Sequence, residues 1–120
     1  MNAKEEFLRH IGNNEVLCVE LSIDNHKKSK VVNTFLTTGY TKEELEQFLI
    51  DINKDYDAGY GSQELYGTIW YKDGTWSTRG EYDGSEWWDY HCVPEIPVKL
   101  NRIDKVRDIK IDKILNKDEL

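Results

Sequence analysis

The chain reads as an α+β protein, an antiparallel sheet packed against a central amphipathic helix, in the order αββαβββ with a C-terminal arm. Three observations predict this. Thr41 and Glu44 make a capping box, after which Leu45, Phe48, Leu49 and Ile52 recur at helical spacing. Two Asp-Gly pairs, Asp73-Gly74 and Asp83-Gly84, stand ten residues apart between strand-like runs. Leu17, Val19, Leu21 and Ile23 alternate with mostly polar residues along residues 15–23.

Each element follows from local chemistry. Residues 3–10 suit a short helix with Phe7, Leu8 and Ile11 inward, Asn2 as its cap and Gly12 as its stop. Residues 15–23 form a strand, the polar residues 24–29 a loop, and the β-branched run 30–38 the returning strand of a hairpin. The helix from Lys42 follows, with Tyr40 stapled against Leu45. Residues 57–62, containing Gly59 and Gly61, break it.

Residues 65–93 then form a three-stranded meander whose register depends on loop length. A two-residue loop places Tyr71 opposite Trp76. A three-residue loop with a left-handed glycine pairs Trp70 with Trp76 and Thr78 with Trp88. The second is preferred at both turns, because it gathers Trp70, Trp76, Trp88 and Tyr90 under the helix. Ser77, Arg79 and Asp89 then occupy the other face, with Arg79 opposite Trp87 for a cation–π contact. Tyr66, Trp87 and Tyr71 are expected to stay partly exposed. Pro94 and Pro97 end the sheet. Beyond Lys99, Leu100, Ile103 and Val106 keep helical spacing while Ile109 and Ile111 alternate, which suggests an extended arm and then a helix from about Asp112.

The length of 120 residues suits a single domain, with residues 1–98 as its core and 99–120 as the arm. Hydrophobic residues make up 38% of the chain and aromatics 12%, so the core relies on few but large side chains. Net charge is −7 and is unevenly spread. From Glu43 to Glu95 there are thirteen acids against three Lys/Arg, whereas the flanks hold ten against thirteen. An acidic middle argues against direct contact with nucleic acid or an anionic membrane, and admits a basic protein partner.

No apolar run is long enough to span a bilayer, and residues 1–10 lack the apolar core of a secretory signal. The terminal Lys117-Asp118-Glu119-Leu120 matches an ER-retention string, which is read as coincidence without such a signal. The expected location is the cytoplasm. Cys18 and Cys92 lie in strand-like runs and are expected to be buried free thiols.

Candidate chemistry concentrates at the second turn. Glu81, Asp83, Glu86 and Asp89 surround it beside Trp87 and Trp88, and paired carboxylates next to indoles are what a glycoside hydrolase uses. A hairpin tip explains the same residues more simply: Asp83 belongs to the turn and the glutamates stay solvated. The segment lacks the ligand alternation of a calcium loop. His91 and Cys92 are adjacent rather than spaced, so a zinc site with Cys18 and either His10 or His26 has no support in the spacing. Cys92 would also need His10 or His26 as a base, because strand neighbours point apart. Gly59-Tyr60-Gly61 is not followed by a phosphate-loop pattern. No catalytic residue, metal or cofactor is expected; an enzyme built on Glu81, Glu86 and His91 is the least favoured class.

The run from Gly59 to Trp70, then Asp73-Gly74-Thr75-Trp76, Arg79, Glu81 through Trp88 and Pro94-Glu95-Ile96-Pro97, resembles short uncharacterised proteins of tailed phages and of bacteria carrying them. The string Tyr82-Asp83-Gly84-Ser85-Glu86-Trp87-Trp88 is its most specific part. The resemblance carries no activity and no catalytic residue across. It implies an intracellular, phage-encoded accessory protein.

Ten of the fourteen aromatics lie between Tyr56 and Tyr90. Exposed Trp and Tyr among acids favour a protein-binding surface, assigned to Tyr66, Glu81, Asp83, Glu86, Trp87 and Asp89. The leading expectation is a small acidic intracellular binding module, sharpened to an inhibitor of a host nucleic-acid-binding or defence protein with a basic surface. The first alternative is a carbohydrate or small-ligand domain stacking on Trp87 or Tyr66. The second is a structural or assembly protein pairing through a meander edge. Monomer and homodimer both remain open.

Overall fold

The computed structural model describes residues 1–25, 30–58 and 61–100. Its elements are α1 (Ala3–Ile11), β1 (Val16–Asn25), β2 (Lys30–Leu36), α2 (Lys42–Asp51), β3 (Leu65–Tyr71), β4 (Trp76–Tyr82) and β5 (Ser85–His91), then a single 3₁₀ turn at Val98–Leu100. The strands form one antiparallel sheet in the order β2-β1-β3-β4-β5. The α+β class and the αββαβββ order are therefore as the sequence predicts. The C-terminal signals at residues 101–120, like the loop residues 26–29 and the Gly59-Tyr60 pair, lie outside the described residues.

Local chemistry starts each helix where expected. The Asn2 side chain accepts from the Glu5 amide, and the Gly12 amide donates back to Leu8. At α2 both halves of the capping box form, Thr41 with the Glu44 amide and Glu44 with the Thr41 amide. Tyr40 does more than staple: its hydroxyl donates to the Val16 carbonyl at 2.8 Å, tying the approach to α2 onto β1.

Both helices lie on the same face of the sheet. Phe48 and Ile52 of the α2 stripe are buried, with Leu45 and Leu49 packed beside them. Phe7 of α1 meets Phe48 edge-on at 5.4 Å. The N-terminus is stitched to the chain after α2, where the Ala3 amide donates to Lys54 and the Tyr56 amide to Met1. These bonds set α1 under the β4–β5 half while α2 packs under β2. From the sequence, α2 has the main covering role, with Phe7, Leu8 and Ile11 of α1 inward; α1 shares the covering through Phe7 and Ile11, whereas Leu8 is exposed.

The two Asp-Gly turns differ, and this overturns part of the predicted register. At the first, Trp70 pairs with Trp76 as expected, and Gly74 alone takes positive φ, at 91°. Asp73 stays at negative φ because the Thr75 amide and hydroxyl both donate to its Oδ1, at 3.0 and 2.5 Å. At the second turn Ser85 makes no such bond and instead pairs with Tyr82. Asp83 and Gly84 both take positive φ, 52° and 87°, as in a two-residue type I′ loop.

The strand after that turn is consequently shifted by one residue. Thr78 faces Asp89, and Arg79 faces Trp88 rather than Trp87. A one-residue shift exchanges faces. Trp88 goes beneath the sheet with Ser77 and Arg79, whereas Trp70 and Trp76 stand on the opposite face. The expected cluster of four aromatics under one helix does not form. Tyr71, expected to be partly exposed, is buried. Leu17 also leaves its predicted face, because a bulge between Val16 and Cys18 turns Val16 inward in its place.

The second turn gives a direct test of register. Asp83→Asn should change the unfolding free energy by no more than a few tenths of a kcal/mol, whereas Asp83→Ala should cost about 1 kcal/mol, because a Cβ without a local acceptor is disfavoured at positive φ. Equal effects of the two substitutions in urea titrations would indicate a negative φ and a three-residue loop.

Candidate functional site

The two faces of the sheet hold different chemistry. Under α1, Arg79 is buried and its guanidinium reaches two acids. Its Nη1 lies 3.0 Å from Glu6 Oε2, and its Nη2 lies 2.8 Å from Glu86 Oε1. Nη2 also donates to the Tyr56 hydroxyl at 3.0 Å, and that hydroxyl donates to Glu6 Oε1. Burial first, and then the bond to Glu6, push the Tyr56 phenol well above its ordinary range. The Arg79 Cζ lies 5.0 Å from the Trp88 ring centre and 5.7 Å from that of Tyr56, so its cation–π contacts are with buried rings and not with Trp87.

Glu86 has its acceptor sites occupied by structure. Besides Arg79, Oε1 takes the Leu65 amide at 3.1 Å and Oε2 takes the Glu64 amide at 2.7 Å. It is buried on the covered face and belongs to the fold's interior rather than to a binding surface. Its cross-strand partner Glu81 is exposed and accepts from the Gly84 amide at 3.2 Å. The pair therefore closes the hairpin and fastens β3 to β5. Glu86, buried and with both oxygens engaged, is held in a structural role.

A second polar chain lies nearby. His10 Nε2 is 2.8 Å from Ser77 Oγ, which is 2.8 Å from the Tyr71 hydroxyl. The His10 ring stacks on Trp88 at 6.1 Å. A hydroxyl beside an imidazole is the arrangement of an activated nucleophile. Ser77, however, has no solvent-accessible surface, so this chain binds α1 to the sheet instead of meeting a substrate. Burial lowers the His10 pKa below its ordinary 6.5, outweighing Glu6, which raises it.

Among the described residues, no helix lies on the opposite face. Strand alternation and register place Phe35 on β2, Cys18, Glu20 and Ser22 on β1, Tyr66, Thr68 and Trp70 on β3, Trp76, Thr78 and Gly80 on β4, and Trp87, Asp89 and His91 on β5. Trp70 is 40% exposed, Tyr66 40% and Trp87 39%. This is an aromatic surface, and it is partly preorganised. Trp76 stacks on His91 at 5.6 Å, and His91 Nε2 lies 2.8 Å from the Thr78 hydroxyl. Trp87 Nε1 donates to Asp89 Oδ1 at 3.0 Å. A Cβ on Gly80 would lie 2.6 Å from Trp87 Nε1, so the glycine makes room for the indole.

Of the predicted surface residues, Tyr66, Trp87 and Asp89 share this open face. Asp83 sits at the tip of the β4–β5 turn and Glu81 at its base, while Glu86 points the other way. At the Tyr66 corner, burial first and then the charges of Asp24, Glu86 and Glu81 raise the phenol pKa. Trp70 and Trp76 are the members that sequence reasoning missed, because the assumed second loop hid them beneath the helix. The available signal was Thr75 against Ser85 after otherwise similar turns.

Cys92 is exposed and Cys18 half-buried, and both are free thiols, which corrects the expectation that both are buried. His91 is committed to Thr78 and Trp76, and His26 lies outside the described residues. Among the described residues, no three His, Cys, Asp or Glu side chains gather closely enough to hold a metal. No helix among them is long and apolar enough to cross a membrane.

Among the described residues, the covered side includes two clefts. One of about 250 Å³ runs between the helices, lined by Phe7, Leu8, Ile11, Leu45 and Leu49. One of about 210 Å³ separates β2 from α2 beside Phe35 and Phe48. Both are smaller than typical small-molecule pockets, roughly 300–1,000 Å³. The open face is thus a better candidate than either cleft. No protein-family model, curated protein or solved structure matches the chain.

Two measurements probe the covered side. Arg79→Met should lower the unfolding free energy by about 3–5 kcal/mol, since it leaves two buried carboxylates without their cation. Combined with Glu86→Gln it should cost less than the two single losses added, and additive losses would mean that the side chains do not meet. The lowered His10 pKa means that the unfolded chain takes up a proton first as pH falls. Stability should be full above pH 6.5, the ordinary value, and decline as pH drops through the folded value. His10→Asn should flatten that decline in urea titrations, and an unchanged slope would remove His10 as its source.

Proposed function

We propose that this protein is a non-enzymatic binding module that engages the basic surface of a protein partner through the open face of its sheet. The observation that carries this reading is the aromatic field of exposed Trp70, Trp87 and Tyr66 with half-buried Trp76, which no element of the described chain covers. Antiparallel sheets often leave one face solvated, but such a face is usually polar. Tryptophan and tyrosine in this setting are the residues that most often anchor protein interfaces.

Charge selects the kind of partner. The face includes Glu20 and Asp89 and, among the described residues, no lysine or arginine. Arg79, the lone base of β4, is turned inward and neutralised. With a net charge of −7, the molecule repels phosphate backbones and attracts basic grooves. A cytoplasmic inhibitor that occupies the nucleic-acid site of a host protein fits these features and the resemblance to phage accessory proteins. In that role the acids take the place of phosphates and the indoles that of bases.

The test uses the full chain as bait in a bacterial lysate, beside a Trp70→Ala, Trp87→Ala double variant checked for folding. The reading predicts capture of a basic protein, loss of at least about 30-fold in affinity with the variant, and weakening as salt rises from about 0.1 to 0.5 M. Capture that is equal for both baits, or insensitive to salt, would contradict it.

A further inference from the structure

The open face has an internal order that narrows the partner further, and this narrowing rests on the binding role already proposed for that face. Cross-strand pairing sorts its residues into rows running perpendicular to the strands. One row is Cys18, Trp70, Trp76 and His91. The next is Glu20, Thr68, Thr78 and Asp89. The third holds Ser22 and Tyr66 at one side and Gly80 and Trp87 at the other. The middle row is therefore a shallow furrow, floored by two threonines, flanked by aromatic rings and bearing a carboxylate on either side of that floor, with Phe35 of β2 lying beyond Glu20.

The furrow is fixed rather than adaptable. Trp76 and His91 brace each other on one side, and Trp87 is held to Asp89 on the other. The outer rows are about 13 Å apart between backbones, two steps of alternate residues along a strand. Once the rings take their share, that width admits one extended chain but not a helix, which is about 10–12 Å across with its side chains. Among the described residues, neither Glu20 nor Asp89 has an ion-pair partner.

Glu20 and Asp89 lie three strand spacings apart, about 14 Å at roughly 4.8 Å per step. An extended chain covers that distance in four residues, at about 3.3–3.4 Å each. Four is an even number, so side chains at i and i+4 leave an extended chain on the same side. The residue between them, at i+2, lands over the threonine floor, where only a small side chain fits beneath the rings.

We infer that the open face binds an extended basic segment, with arginine or lysine at positions i and i+4 and a small residue at i+2, lying across the strands with its two cations at Glu20 and Asp89. The rings beside each carboxylate add cation–π attraction, which favours arginine over lysine.

The probes are acetylated, amidated peptides carrying Arg-Ser-Ala-Ser-Arg between serines, with companions whose arginines are three or five residues apart. Affinity is read by tryptophan fluorescence on the full chain. The four-residue spacing should bind about fivefold more tightly than either companion, and Glu20→Gln or Asp89→Asn should each remove about fivefold while making the three spacings more nearly equal. Asp89→Asn keeps an acceptor for Trp87, and Glu20→Gln lies on a solvated strand position, so either variant alone decides the matter if the other fails to fold. Equal affinity at all spacings, no binding, or indifference to both substitutions would overturn the inference. If a basic protein is still captured in a tryptophan-dependent way, the binding role stands and only the extended segment falls. If that capture also fails, both fall.

Discussion

The arrangement depends on one buried cation. Arg79 enters the covered face from the middle of β4 and finds Glu6 from α1 and Glu86 from β5, with Tyr56 between α2 and β3 closing the group. A lone guanidinium in that place would be prohibitively costly, and so would either carboxylate. Together they commit four separated stretches of chain to one geometry. Glu86 extends this commitment by holding the backbone amides of Glu64 and Leu65, which start β3.

This cluster also decides which face of the sheet remains open. With Arg79 turned inward, strand alternation puts Ser77 and Trp88 inward as well, and Trp70, Trp76 and Trp87 outward. Gly67 then serves the buried indole: a Cβ there would lie 3.3 Å from the outermost atom of Trp88 and 2.5 Å from the Glu20 carbonyl. Gly80 serves the exposed indole in the same way on the other side. Glu6 of α1, with Glu86, thus neutralises the only strand arginine among the described residues and leaves, within them, an aromatic, acidic field uncovered. The stability of the interior and the chemistry of the surface share a cause.

Much of this was legible in the sequence where the signal was local. The capping box at Thr41 and Glu44, the Asn2 and Gly12 boundaries of α1, and the positions of β3, β4 and β5 follow from side chains acting within a few residues. The first hairpin register was legible too. The second was not, because an Asp-Gly pair permits loops of either length, and the choice rested on gathering aromatic residues inside. That assumption failed for a physical reason. Arg79 and Glu86 compete for the interior and win through a partner on α1, seventy-three residues from Arg79 in sequence. No local pattern announces such a contact. Of the site, Tyr66, Trp87 and Asp89 could be read directly, whereas Trp70 and Trp76 required the register and Glu86 required the buried arginine.

The central claim is that the indoles divide between two environments, and fluorine NMR of the chain labelled with 5-fluorotryptophan, with a soluble gadolinium chelate added, measures that division directly. Assigned by single Trp→Phe substitutions, the resonances of Trp70 and Trp87 should broaden strongly, Trp76 less, and Trp88 least. Protection of Trp70 and Trp76 together with Trp88 would mean that the aromatic residues form one core beneath the helices, and the open binding face would then have no basis.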